Sequence, residues 1–127
     1  MSMMMKMINR IFLFLIFISC NQKTINFTDN NETAVVKTYG SYHSFDLATW
    51  NLQEFPLDAA NTLKYLPKII RNMDIDLFAL QEIKEESFFF QLLDSLEDYQ
   101  GELSVSDTYL KLAIIYKKDL ISITNKK

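Results

Sequence analysis

Histidine, cysteine, glycine and proline are all scarce in this 127-residue chain, and each scarcity excludes something. The one cysteine, Cys20, rules out an internal disulfide and any cysteine-based metal cluster. The two glycines, Gly40 and Gly101, cannot build a glycine-rich loop around a phosphate, which removes P-loop and dinucleotide-fold readings. The one histidine, His43, rules out a catalytic pair of histidines within the chain and reads as a solvated side chain in a polar segment. Excess positive charge is missing as well. The net charge is −3, and without residues 1–19, which hold Lys6 and Arg10, 11 basic residues face 16 acidic ones. That balance argues against tight, sequence-independent binding of nucleic acid to a basic surface. It leaves a nuclease open, because a bound divalent cation can bring the positive charge to the cleavage point. The length allows at most one domain of ordinary size.

What is present divides the chain into three. Residues 1–19 read as a signal peptide. Lys6 and Arg10 are followed by an apolar run over residues 11–18, too short to span a bilayer. Ser19-Cys20 closes it, and a small residue directly before a cysteine resembles a bacterial lipoprotein signal, in which the cysteine is lipidated and becomes the new N-terminus. That implies a lipid anchor at Cys20 and a place on the cell envelope, on its periplasmic or extracellular side. The alternative is an ordinary signal peptide or anchor with an incidental cysteine. Residues 20–44 are rich in Asn, Thr, Asp, Lys and Ser, with one apolar cluster near Val35, and read as a tether carrying at most an edge strand. The domain is expected over residues 45–127.

Within the domain, residues 73–83 are the organising stretch. Ile75, Leu77 and Ala79 fall on one face of a strand, Phe78 and Leu80 on the other, and a strand apolar on both faces lies between the layers of an α/β fold. It ends in Gln81-Glu82, and the carboxyl ends of such strands are where open α/β sheets place their chemistry. Residues 45–53 predict an earlier central strand that carries Trp50-Asn51. Residues 58–73 have helical spacing (Ala59, Leu63, Leu66, Ile70, Met73), so strand, helix and strand form a βαβ unit with parallel strands. Pro67 leaves two openings for that helix: near Lys64 with the proline in its first turn, or at Asp58 with a kink. Residues 85–97 predict a second helix capped by Ser87, with Phe89, Leu92, Leu93 and Leu96 inward. Strands are expected at 99–105, 110–116 and 120–123, the last two as a hairpin turning at Lys117-Lys118-Asp119.

In order, Thr49-Trp50-Asn51, then a helix, then Asp76-Leu77-Phe78-Ala79-Leu80-Gln81-Glu82, then Leu112-Ala113-Ile114-Ile115-Tyr116 resembles the endonuclease/exonuclease/phosphatase superfamily, the deoxyribonuclease-I-like phosphoesterases. The resemblance spans residues 45–123. It implies an α/β fold, the first half of a four-layer α/β sandwich of two sheets with helices outside. It implies Glu82 as a ligand for Mg2+ or Mn2+, Asn51 beside it as a second catalytic and metal-site residue, and a phosphate ester as substrate, nucleic acid among the candidates. The family's later half carries a histidine, an Asp and Asn pair and a final Asp-His pair, and no residues here match them. The resemblance therefore implies a truncated, weak or inactive hydrolase with a complementing C-terminal half as partner. The alternative is a non-catalytic lipoprotein that binds another protein. Half a sandwich would leave an apolar sheet face and a strand edge open, which predicts marginal stability or association.

Overall fold

The computed structural model describes residues 24–29 and 32–124 of the chain. The segment with the apolar run and Cys20 lies outside them. Two strands, β1 (Thr24–Asp29) and β2 (Glu32–Lys37), form an antiparallel hairpin. β3 (Leu47–Phe55) leads into helix α1 (Ala59–Met73), β4 (Leu77–Ile83), helix α2 (Glu86–Asp94), β5 (Tyr99–Leu103) and β6 (Lys111–Lys117). These last four strands make one mixed sheet in the order β3-β4-β6-β5. β3 and β4 run parallel across the α1 crossover, as the sequence predicts, while β6 is antiparallel to both its neighbours.

A single core lies between one face of the sheet and the two helices. Phe78, Leu80, Ala113 and Ile115 point from the central strands towards Leu66 and Ile70 of α1 and Phe89 and Leu92 of α2. Phe78, Ile70, Phe89, Leu92 and Ile115 are all fully buried. Of the three consecutive phenylalanines, Phe89 is therefore core, Phe88 packs against it from the side and Phe90 is exposed. Gly101 pairs with Ile115 in the sheet. A Cβ there would lie 2.8 Å from Leu93 Cδ2, so the missing side chain is what lets α2 settle this close to β5.

Several local expectations change in the folded chain. α1 opens at Asp58, whose carboxylate accepts from the Asn61 amide (3.3 Å), and Pro67 sits buried inside the helix. Of the two openings, the earlier one holds, and the Leu63 carbonyl loses the amide partner a non-proline residue would give it. α2 is capped at Glu85 without a side-chain bond, so Ser87 is a helical residue and not the cap. β3 is an edge strand of its sheet and not a central one. Its second apolar face was misleading because Leu47 points to the open side of the sheet and is 63% exposed. The expected terminal hairpin is absent among the described residues. Residues 121–124 form no strand, and β6 pairs with β4 and β5 instead. The segment expected as a tether contains the β1-β2 hairpin, and beyond it the Tyr39 and Gly40 amides donate to the Met73 carbonyl at 3.0 and 2.9 Å.

That last contact closes the free end of α1. Asp74 follows the helix in the left-handed region (φ 56°), and Gly40 lies against its backbone. A Cβ on Gly40 would fall 1.7 Å from the Asp74 carbonyl oxygen, which has no side-chain freedom to yield. Gly40→Ala is expected to cost about 1–3 kcal/mol of unfolding free energy by this overpacking, measurable by urea titration.

The same rim holds a network around Asp76, the one buried charged residue among those described. Its Oδ2 accepts from the Asp46 amide at 2.8 Å and its Oδ1 from Lys117 Nζ at 2.9 Å. Lys117 also reaches Asp74 Oδ1 at 2.7 Å. Burial pulls the Lys117 ammonium down, but the bonds and charges of Asp74 and Asp76 outweigh it and leave it above the ordinary lysine range. Beside it, the Tyr99 hydroxyl donates to the Ile75 carbonyl (3.0 Å), and burial pushes that phenol up from 10 to about 12. A folded-state value above the unfolded one means stability that is whole below pH 10 and lost as pH rises towards 12. Absorbance titration should show one tyrosine ionising late, together with alkaline unfolding in that window. Tyr99→Phe should remove the late step.

Candidate functional site

The rim at the other end of the parallel strands is built by a break in the strand period. On β4 the buried positions are Phe78 and Leu80 and then Ile83, a step of three instead of two. On β3, Ala48, Trp50 and Leu52 turn towards the core and the next core residue is Phe55. The pairing explains both. Asn51 pairs with Gln81 and Phe55 with Ile83, so residues 52–54 bulge against Glu82 alone. Across the other ladder, Leu80 pairs with Ala113 and Ile83 with Lys111, so Gln81 and Glu82 oppose Leu112 alone. Two irregularities therefore meet at Glu82. Strict alternation would aim Glu82 into the core alongside Leu80; the bulges turn it out to the rim.

The backbone records the cost of that turn. Gln53 (φ 48°), Glu54 (φ 51°) and Glu82 (φ 62°) all stand in the left-handed region, where a residue with a Cβ is unfavourable. Three such residues at one rim are held there by surrounding bonds. The Lys84 and Glu85 amides both donate to the Phe55 carbonyl, at 3.0 and 3.2 Å.

Asn51 and Glu82, predicted from the sequence to share a site, do meet. Asn51 Nδ2 donates to Glu82 Oε1 at 2.7 Å. The Asn51 Oδ1 accepts from the Gln53 amide at 2.8 Å, which fixes which way the amide points. The second carboxylate oxygen of Glu82 accepts from the Glu54 amide at 3.2 Å. Gln81 turns away from this pair and donates to Thr49 Oγ1 at 2.7 Å. Lys84, which could have paired with Glu82, instead bridges to Glu54 Oε2 at 2.9 Å. Its ammonium lies 5.0 Å from the centre of the Tyr109 ring, and the Tyr109 hydroxyl and the Glu54 carboxylate hold it above the ordinary lysine range. Next along the rim, Lys111 pairs with Glu86.

Glu54, Lys84 and Tyr109 thus join the site; from sequence, Glu54 reads more readily as a solvated loop residue and Lys84 as a neighbour of Glu82, and nothing marks Tyr109. The legible signal was the three-residue step between core positions, repeated at the same level of two adjacent strands. His43, by contrast, is exposed near the start of β3, by the rim where the Asp46 carbonyl accepts from the Asp76 and Leu77 amides. It stands at the far end of the strands from Glu82. Among the described residues, no three or more His, Cys, Asp or Glu side chains cluster as a metal cage. No described helix is long and apolar enough to cross a membrane.

This is a layered α/β protein whose sheet rim presents an acid–amide pair braced by backbone donors. It belongs to the endonuclease/exonuclease/phosphatase family, whose model matches residues 48–126, more than half of the chain. The mixed four-stranded sheet with its two helices is consistent with part of that family's domain. No curated protein and no solved structure matches significantly. The family is one of Mg-dependent phosphoesterases, so a phosphoester substrate and a divalent metal are implied at family level.

Proposed function

We propose that this chain provides the cation-binding rim of a metal-dependent phosphoesterase, with Glu82 as the ligand to Mg2+ or Mn2+ and Asn51 beside it. The observation that carries this is the 2.7 Å hydrogen bond that brings an amide from β3 onto a carboxylate from β4 at the strand ends. The donor set suits a hard cation in part. Each Glu82 oxygen accepts one bond and keeps lone-pair capacity, and the side chain is partly exposed at the rim. Mg2+ retains several waters and needs only one or two protein carboxylates. When bound, such a cation polarises a phosphoryl oxygen and stabilises charge on the leaving group. Asn51 orients the carboxylate with one amide hydrogen and has a second to offer a phosphate oxygen.

A water-activating histidine does not come from this chain's rim, since its one histidine lies at the other end of the strands. The 127-residue chain alone is therefore a poor hydrolase, and the missing groups come from a complementing half. The open face of the sheet, with Leu47 63% and Leu112 60% exposed, suits such a covering layer. The purified chain should cleave DNA and an activated phosphodiester no faster than the buffer with Mg2+ does. Magnesium-dependent turnover by the chain alone would overturn this. The same open face favours the second reading, a non-catalytic lipoprotein that binds another protein. Retained Mg2+ binding at Glu82 separates the two. We also propose that Cys20 carries lipid and holds the protein on the cell envelope. Mass spectrometry of the mature N-terminus checks it: an unmodified cysteine would remove the anchor.

A further inference from the structure

Glu54 is engaged twice. Its amide donates to Glu82 Oε2 at 3.2 Å, and its carboxylate accepts from Lys84 Nζ at 2.9 Å. The amide reaches Glu82 with Gln53 and Glu54 both at positive φ, a conformation that neither side chain favours. Left alone, the pair would relax towards ordinary turn geometry and carry that amide away from the carboxylate. Asn51 restrains the turn from one side through the Gln53 amide. From the other side the restraint on the Glu54 side chain is Lys84. Lys84 is itself fixed at both ends. Its backbone amide donates to the Phe55 carbonyl, and its ammonium rests against Tyr109 from the loop before β6.

We infer that Lys84 is a positioning residue for Glu82. From its place against Tyr109 it holds the Glu54 carboxylate, and so keeps the 53–54 turn strained and the Glu54 amide on the Glu82 carboxylate. The inference rests on Glu82 as the cation-binding group. It adds a reason for the lysine two residues beyond it: Lys84 orients the ligand through Glu54 without touching the ligand or the substrate.

The test needs no turnover. Amide hydrogen exchange is read residue by residue on the full, metal-free chain, with the Leu80 and Ile115 amides as the control for an intact sheet. Lys84→Met is expected to speed exchange at Glu54 about threefold, the scale of an exposed charge pair, with the control amides unchanged. Glu54→Gln, which keeps the amide but not the charge, should do the same, and Lys84→Arg should restore protection. Unchanged Glu54 exchange in Lys84→Met and Glu54→Gln would overturn the inference, as would loss of protection in Lys84→Arg equal to that in Lys84→Met. Should Lys84→Met disturb the control amides, Glu54→Gln alone decides. A Mg2+ titration of the same samples separates the two levels. If Glu82→Ala still responds to Mg2+ as wild type does, the cation reading of Glu82 fails. If Glu82→Ala loses the response while Glu54 exchange ignores Lys84, only the positioning role fails.

Discussion

Glu82→Ala should weaken Mg2+ binding about a hundredfold or more, beyond the range usual for loss of a supporting residue around a metal. The reason lies in how few oxygen donors the rim offers. Asn51 is committed to Glu82 through its nitrogen and to the Gln53 amide through its oxygen. Glu54 spends its carboxylate on Lys84. Glu82 is the carboxylate whose two oxygens are held by uncharged donors, so its negative charge remains for a cation. Asn51→Ala removes one of those donors and should weaken binding about tenfold while leaving the ligand in place. The order of effects, Glu82 well above Asn51, is the result to look for. It can be read from Mg2+-dependent shifts of the Gln81 and Glu54 amides. Equal, small losses in both variants would mean that the cation binds elsewhere.

Asp76→Ala should destabilise the fold by about 3 kcal/mol, close to what breaking a buried charge pair costs. That is a large share of a small domain's stability and should lower the urea midpoint by roughly 1–3 M. The carboxylate joins three strands at their common end. It accepts from the Asp46 amide ahead of β3, from the Lys117 side chain at the end of β6, and stands just before β4. The Asp76 carbonyl also accepts from the Lys117 amide at 2.9 Å. Removal would leave the Asp46 amide without that acceptor and an ammonium leaning on Asp74 alone. Asp76→Asn keeps an acceptor for the amide and loses only the charge, so it should fall between wild type and alanine. A midpoint for Asp76→Ala within error of wild type would show that the rim tolerates a gap there. Because this network lies at the opposite end of the strands from Glu82, the two predictions are independent: one variant should lose the metal and keep its fold, the other the reverse.

The two apolar faces of residues 77–80, the helical spacing from Ala59 to Met73 and the short loops between them determined the βαβ unit without any tertiary contact, because side-chain period and chain connectivity are local properties. They also brought Asn51 and Glu82 to the same rim, since parallel strands joined by one helix must align their carboxyl ends. The family motif was legible for the same reason: it sits on consecutive elements. What only the tertiary structure decided was neighbourhood. β3 proved to be an edge strand because pairing order is settled by which strands meet, and an apolar face looks the same in sequence whether it is covered or open. β6 pairs with β4 and β5 and not with residues 120–123, a choice of partner that an apolar run does not specify by itself. The turn that aims Glu82, and the Glu54–Lys84–Tyr109 contacts that brace it, depend on bulges in two ladders at once. Such a bulge costs backbone strain that no single strand carries a reason for; besides the local bond from the Gln53 amide to Asn51, it is held by hydrogen bonds from residues about thirty positions away.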